Sequence, residues 1–252
     1  MKENNIRNFI SSSSLGVYTK YIRIEDGVKY LVKSGRGDGN KTSILEPVTE
    51  CICYELAKLM GISCAEYYLE ENDDDLLCVS KWFYDETKER FYSANKFLRI
   101  LELNRKDLYY TLINHMPDVE QDLNNMIVFD YIVNNTDRHL KNFGFLIENE
   151  NVKFAPIYDN GLALGSHLDD TDIENEDIED LLLDSDYAKC FDTSNRRQLD
   201  LVKECTLNIE FNYEPIVRKY SSYLSDKRVE FILSLLEERI EVVKKCLFQN
   251  KK

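Results

Sequence analysis

Between two apolar segments, residues 124–133 and 143–147, runs the polar stretch NNTDRHLKNFGF at 134–145. A plain turn would need one or two polar residues. This one gathers Asp137, Arg138, His139, Lys141 and Asn142, and takes one of only three histidines in the chain. Asp137 and Asn142 are five residues apart on a loop leaving an apolar helix. Asp159 follows one hairpin later, in APIYDNG at 155–161. Since the two ends of a hairpin lie close in space, Asp137, Asn142 and Asp159 are directed towards one point. Three oxygen-bearing side chains so arranged suit a hard divalent cation, magnesium in particular where phosphates share it. Phosphoryl transfer asks for the same parts: a carboxylate to orient the attacking hydroxyl, an Asn and an Asp on the metal, and a lysine on the nucleotide phosphates. Lys33 ends the alternating segment YLVK at 30–33 and is positioned to be that lysine, with Glu50 on the following helix to hold it by charge pairing. Asp137 and Asn142 could instead simply cap a helix and a hairpin. Capping gives no reason for His139, Lys141, Asp159 and Lys33.

The elements that carry these residues follow from periodicity. Residues 17–24 alternate with period two, Glu25-Asp26-Gly27 makes a turn, and 28–33 alternate again, which predicts an antiparallel hairpin. GRGDGN at 35–40 reads as a flexible loop. Pro47 suits the first turn of a helix over 48–60 that Gly61 closes, with Ile52, Leu56 and Leu59 as its buried stripe and Glu50, Tyr54, Ala57 and Lys58 on another side. Two more strands, 64–69 and 76–81, flank the acidic tip EENDDD at 70–75. From Ser93 onward helical periodicity takes over. It predicts a helix over 117–133, interrupted afterwards by hairpin strands at 142–147 and 152–157, and a closing helix over 227–247.

Composition bounds the setting. The chain has 252 residues, 43% of them hydrophobic, enough for a core in one domain or two closely packed lobes. No apolar run approaches about 18 residues and MKENNIRNFI lacks a leader pattern, so a cytoplasmic protein without membrane insertion is expected. Seven cysteines without a C-x-x-C pair fit buried thiols in a reducing compartment. A net charge of −14 disfavours nucleic acid as a direct ligand. Much of the acidic excess falls in the 70–75 tip and in 169–186.

Taken together, NNTDRHLKNFGFL and FAPIYDNG resemble the HipA-like serine/threonine kinases, whose catalytic loop is D-x-H-x-K-N and whose metal aspartate follows in a short Y-D segment. The resemblance extends to YLVKSG, TECICYELAKLMGI and LLCVSKWF, and covers most of 14–165. It implies an α+β, bilobal protein-kinase-like fold: a small antiparallel-sheet N-lobe over 1–84 and a mainly helical C-lobe over 85–252. By its length the chain is similar to compact members without an extra N-terminal subdomain. The resemblance implies Asp137 as catalytic base, Asn142 and Asp159 as magnesium ligands, and Lys33 on the ATP phosphates. Val79, Ser80, Lys81 and Trp82 would hold adenine, with Tyr158 also in the nucleotide set. His139 either donates to the transferring phosphate or supports the loop. Ser14 and Gly16 occupy the place of the family's S-x-x-G phosphate loop, and a serine among 11–14 is an implied autophosphorylation site. The implied partners are a protein substrate with a Ser or Thr acceptor and, as for toxins of this family, a small DNA-binding antitoxin. Two other functions fit parts of the pattern. D-R-H-x-x-N matches a phosphatidylinositol-type lipid kinase, although the acidic balance opposes anionic membranes. A nucleotide-binding regulatory protein would be expected to have lost part of the Lys33, Asp137, Asn142, Asp159 set.

Overall fold

The two-residue turn Asp26-Gly27, with φ of 48° and 78°, meets the demand of a tight hairpin for positive φ at both central positions. It joins β2 (Lys20–Glu25) to β3 (Val28–Ser34) in the computed structural model, which describes residues 8–9, 20–35, 44–72, 75–149, 151–175 and 190–249. With β1 (Asn8–Phe9), β4 (Tyr67–Asn72) and β5 (Asp75–Lys81), these strands form an antiparallel sheet in the order β1-β2-β3-β5-β4. The register sets Lys20 opposite Lys33, and Leu31 opposite Ser80. The strand expected from residue 64 starts at Tyr67. Cys64 instead forms an isolated parallel bridge with Ile157, two residues before Asp159.

Helix α1 (Leu45–Met60) lies against this sheet and ends on Gly61, whose left-handed φ of 81° needs no Cβ. A single buried stripe was the expectation, and the structure corrects it. Ten residues of α1 are buried, Glu50, Cys51, Cys53 and Ala57 completely, whereas Leu59 is 45% exposed. The reason is packing on two sides: β4 and β5 cover one face and C-terminal residues cover another.

A second, three-stranded sheet contains β6 (Arg90–Ser93), β7 (Gly144–Glu148) and β8 (Asn151–Phe154), in that order. The β7–β8 hairpin matches expectation, but β6 was hidden by its shortness and by the helical pattern that starts at Ser93. Its approach to β7 depends on Gly144, where a Cβ would stand 2.3 Å from the Tyr92 carbonyl oxygen. Ser93 then caps α2 (Ala94–Ile100), accepting from the Lys96 N–H.

The remaining α-helices among the described residues are α3 (Leu108–His115), α4 (Glu120–Ile132), α5 (Asp170–Asn175), α6 (Asn195–Leu199), α7 (Glu214–Lys219) and α8 (Asp226–Val243). Pro117 opens a 3-10 turn, Pro117–Val119, ahead of α4, so the regular helix begins later than expected. The closing helix is regular only to Val243 and continues as a π-helical turn, Lys244–Gln249, which still buries Leu247. Every residue of α4 from Leu123 to Ile132 is buried, as befits the central helix of the main core. At its end, buried Arg239 from α8 donates to the Tyr131 carbonyl at 2.7 Å and lies 4.8 Å above the Tyr131 ring. This adds a second donor to a carbonyl of the last helical turn that also accepts from the Asn134 N–H at 3.2 Å. No helix among the described residues is long and apolar enough to cross a membrane.

Candidate active site

The loop following α4 is tied down on both flanks. The Leu164 N–H donates to the Val133 carbonyl at 2.7 Å, both the N–H and the hydroxyl of Thr136 donate to the Leu162 carbonyl, and Asn195 donates to the Asn135 carbonyl at 3.0 Å. Local turn bonds are made by Asn135, whose side-chain oxygen accepts from the Asp137 N–H at 3.0 Å and whose amide donates to Asp130 at 3.1 Å.

Arg138 organises what surrounds it. Its side chain is 1% exposed and makes a two-pronged contact with buried Asp130, at 2.8 and 2.9 Å. The same guanidinium donates to the carbonyls of Asn142 and Tyr158, both at 2.6 Å, and to the side-chain oxygen of Asn160 at 2.5 Å. Burial works against its charge, but Asp130 more than reverses this and raises its pKa further. One planar, five-donor group therefore joins the 138–142 segment to the Asp159 segment, in a geometry that lysine cannot copy.

Across the cleft, Lys33 donates to Glu50 and, at 2.6 Å, to Asp159. Glu50 is completely buried, and its second oxygen accepts from the Asn160 N–H at 2.9 Å. Asp159 has φ of 60°, a left-handed conformation that Asp tolerates better than most residues, and its N–H donates to the Tyr67 hydroxyl at 3.1 Å. Enclosure opposes ionisation of Asp159, yet Lys33 overcomes it and holds the carboxyl below its usual range. Enclosure also works against the Lys33 charge, but Asp159 and Glu50 raise its pKa well above normal. The pair stays ionised at neutral pH. Burial pushes Glu50 up.

A cleft of about 370 Å³ opens beside these residues, lined by Lys33, Ser80, Lys81, Trp82, His139, Lys141, Asn142, Tyr158 and Asp159 among others. Asn142 donates its amide nitrogen to the Asp137 carbonyl at 2.9 Å and approaches the Asp137 carboxylate at 3.4 Å; Asp137 itself is not among the residues lining the cleft and stands next to it through Asn142. The His139 ring faces the cleft, and its Nδ1 accepts from the Lys141 N–H at 3.3 Å. Val79 departs from its expected contact with adenine. Strand alternation turns it away from the cleft into a small cluster with Tyr21, Val32 and Leu77. Ser14 and Gly16 lie outside the described residues, as does the serine run 11–14.

Sequence reasoning missed two contributions. Lys20, the cross-strand partner of Lys33, also lines the cleft; only the strand register reveals it. An aromatic wall was missed as well. Tyr158 stacks on Phe83 (5.7 Å, 18°) and meets Phe91 edge-on (5.7 Å), so unforeseen β6 supplies part of the site. A larger, open groove of about 680 Å³ beside α7 and α8 contains none of the site residues.

Lys29 allows a controlled comparison. It shares a strand face with Lys33 by alternation, but it pairs with Glu86 outside the cleft, 5.7 Å from the Trp82 ring. Lys33→Ala is expected to lower nucleotide-dependent turnover roughly a hundredfold or more. Lys29→Ala should change it by less than about twofold. Steady-state kinetics of the two variants check this, and equal small effects would mean that the nucleotide lies elsewhere.

The family model described as HipA-like C-terminal domain matches residues 12–205. No curated protein matches the chain. Among solved structures, the crystal structure of a Helicobacter pylori proinflammatory kinase, CtkA, matches with a TM-score of 0.71 at 19% identity, over 92% of this chain and 95% of that one. HipA of Shewanella oneidensis MR-1, solved with HipB and operator DNA, gives a TM-score of 0.47 at 14% identity, over 93% of this chain and 65% of that one. The likeness to CtkA is one of fold: α+β, bilobal and protein-kinase-like.

Proposed function

The chain belongs to the HipA-like C-terminal domain family, and from that premise we propose that it transfers the γ-phosphoryl group of magnesium-bound ATP to a serine or threonine hydroxyl of a protein. One observation carries the reading: Lys33 sits between buried Glu50 and Asp159, on the same cleft as Asn142, which is hydrogen-bonded to Asp137. These are the parts that phosphoryl transfer requires, held by tertiary bonds between segments more than 100 residues apart.

Each side chain has a task in this reading. Asp137 orients the attacking hydroxyl and accepts its proton. Asn142 and Asp159 would hold magnesium. They fit it because Asn142 commits its amide nitrogen to Asp137, leaving the amide oxygen as the atom suited to a hard cation, and because the Asp159 side chain remains 40% exposed. When bound, the ion supplies neutralisation of charge on the phosphates. Lys33 binds phosphate, exchanging part of its contact with Asp159 for the nucleotide. Phe83 and Tyr158 offer aromatic surface to the base, with Ser80, Lys81 and Trp82 at its polar edge.

A phosphatidylinositol-type kinase shares the D-R-H-x-x-N spacing, but a net charge of −14 disfavours approach to an anionic membrane. A regulatory protein without turnover is disfavoured by the complete Lys33, Asp137, Asn142, Asp159 set. On family grounds a small DNA-binding antitoxin belongs to the proposal as a partner. The test is incubation with γ-labelled ATP and magnesium, offering protein acceptors in one arm and phosphatidylinositol vesicles in the other, with Asp137→Ala as control. Label on serine or threonine, including Ser11 to Ser14 by mass spectrometry, is the expected result. Label confined to lipid, or undiminished in Asp137→Ala, would overturn it.

A further inference from the structure

Helix α1 carries Glu50, and so determines whether Lys33 is held in the cleft. The far side of α1 is bound by a stretch of chain beyond residue 205, where the family match ends. At the end of α7, Lys219 donates to Glu55 of α1 at 2.5 Å, and the Tyr220 hydroxyl donates to the same carboxylate oxygen at 2.7 Å. Three residues on, the Tyr223 hydroxyl donates to Glu71 of β4 at 2.9 Å. The Asn208 N–H meets the Met60 carbonyl, the last of α1, at 3.0 Å. Tyr220 is 8% exposed, so its ring packs into the core while its hydroxyl reaches the helix.

Glu50 and Glu55 are five residues apart, about 7.5 Å along the helix axis and about 140° around it. One side of α1 thus faces the cleft, and a separate side is gripped from the C-terminal part of the chain. We propose that Glu55, Lys219, Tyr220 and Tyr223 form a strap of positioning residues that keeps α1 seated and the Lys33–Glu50 pair formed without help from another protein. This deepens the kinase reading and rests on it for its consequence in catalysis, though not for the strap itself. A rigid α1 lowers the cost of binding nucleotide, because a helix that need not be reseated leaves the competent state already populated.

Hydrogen exchange of the whole chain, followed over segments 45–60 and 120–132, tests the strap directly, and ATP affinity tests its consequence. The variants are Tyr220→Phe, which removes only the hydroxyl, and Lys219→Met. Arg218→Ala is the control, since Arg218 pairs with Glu214 and Glu230, neither of which belongs to α1. Tyr220→Phe and Lys219→Met together are expected to raise exchange in 45–60 roughly fivefold or more, with 120–132 unchanged, and to weaken ATP binding by a similar factor. Exchanging the charges, Glu55→Lys with Lys219→Glu, should restore part of the protection. Unchanged exchange in 45–60, or an equal rise in 120–132, would overturn the strap. Raised exchange in 45–60 alone, with ATP affinity unchanged, would overturn its role in positioning. If the wild-type chain neither binds ATP nor transfers phosphate, the kinase reading fails, and the exchange data still decide whether the strap exists.

Discussion

Asp137→Asn is expected to lower phosphoryl transfer about a hundred- to ten-thousandfold while leaving ATP affinity within about twofold. The substitution keeps the shape and hydrogen-bonding reach of the side chain, so Asn142 and Arg138 should remain in place, and it removes the carboxylate to which the proposed function gives the hydroxyl proton. Asp159→Ala should fail differently. It takes away a charge that Lys33 holds at 2.6 Å, so magnesium-dependent ATP binding and turnover should fall together. Calorimetric titration with ATP and magnesium, alongside single-turnover kinetics, separates the two patterns. If Asp137→Asn lost affinity as much as rate, Asp137 would be a binding residue. Unchanged turnover in Asp159→Ala would remove the metal assignment.

Arg138→Met is expected to destabilise the fold by roughly 3–5 kcal/mol, the usual result of removing one partner of a buried ion pair. Asp130 is 2% exposed and would be left without its counter-charge, and the carbonyls of Asn142 and Tyr158 would lose a shared donor. In a domain of this size that corresponds to a fall in melting temperature of about 6–20 °C. Arg138→Lys should recover little, because a single ammonium group cannot serve four acceptor groups in a plane. Urea or thermal unfolding of both variants checks this. A loss below about 1 kcal/mol would mean that the loop is held chiefly by Thr136, Asn135 and Asn195.

Lys33 and Glu50 were legible because strand alternation and a proline-initiated helix fix where each begins, and local sequence carries both signals. Asp137, Asn142 and Asp159 were legible because one hairpin spans the interval between them. What local sequence could not carry was contact between distant segments. Lys20 enters the cleft through a strand register, and Phe91 enters on a four-residue strand whose partner lies more than 50 residues away. Leu59 and Val79 were misjudged for a related reason. An element covered on two sides has no single apolar stripe, and a strand residue one position out of phase faces the opposite side of the sheet. Arg138 stands out in the sequence only as one polar residue of the loop, since the burial that makes it an organising cation is set by α4 and by the Tyr158 segment together.

Arg239 closes the end of α4, and the rest of α8 covers the same core with Val229, Ile232, Leu235, Leu236, Ile240 and Val243, all buried. The family-model match and the folded core therefore end at different places on this chain. The family-model match ends at residue 205, but a polypeptide ending there would expose the apolar flank of α4 and remove the buried guanidinium from the Tyr131 carbonyl and ring.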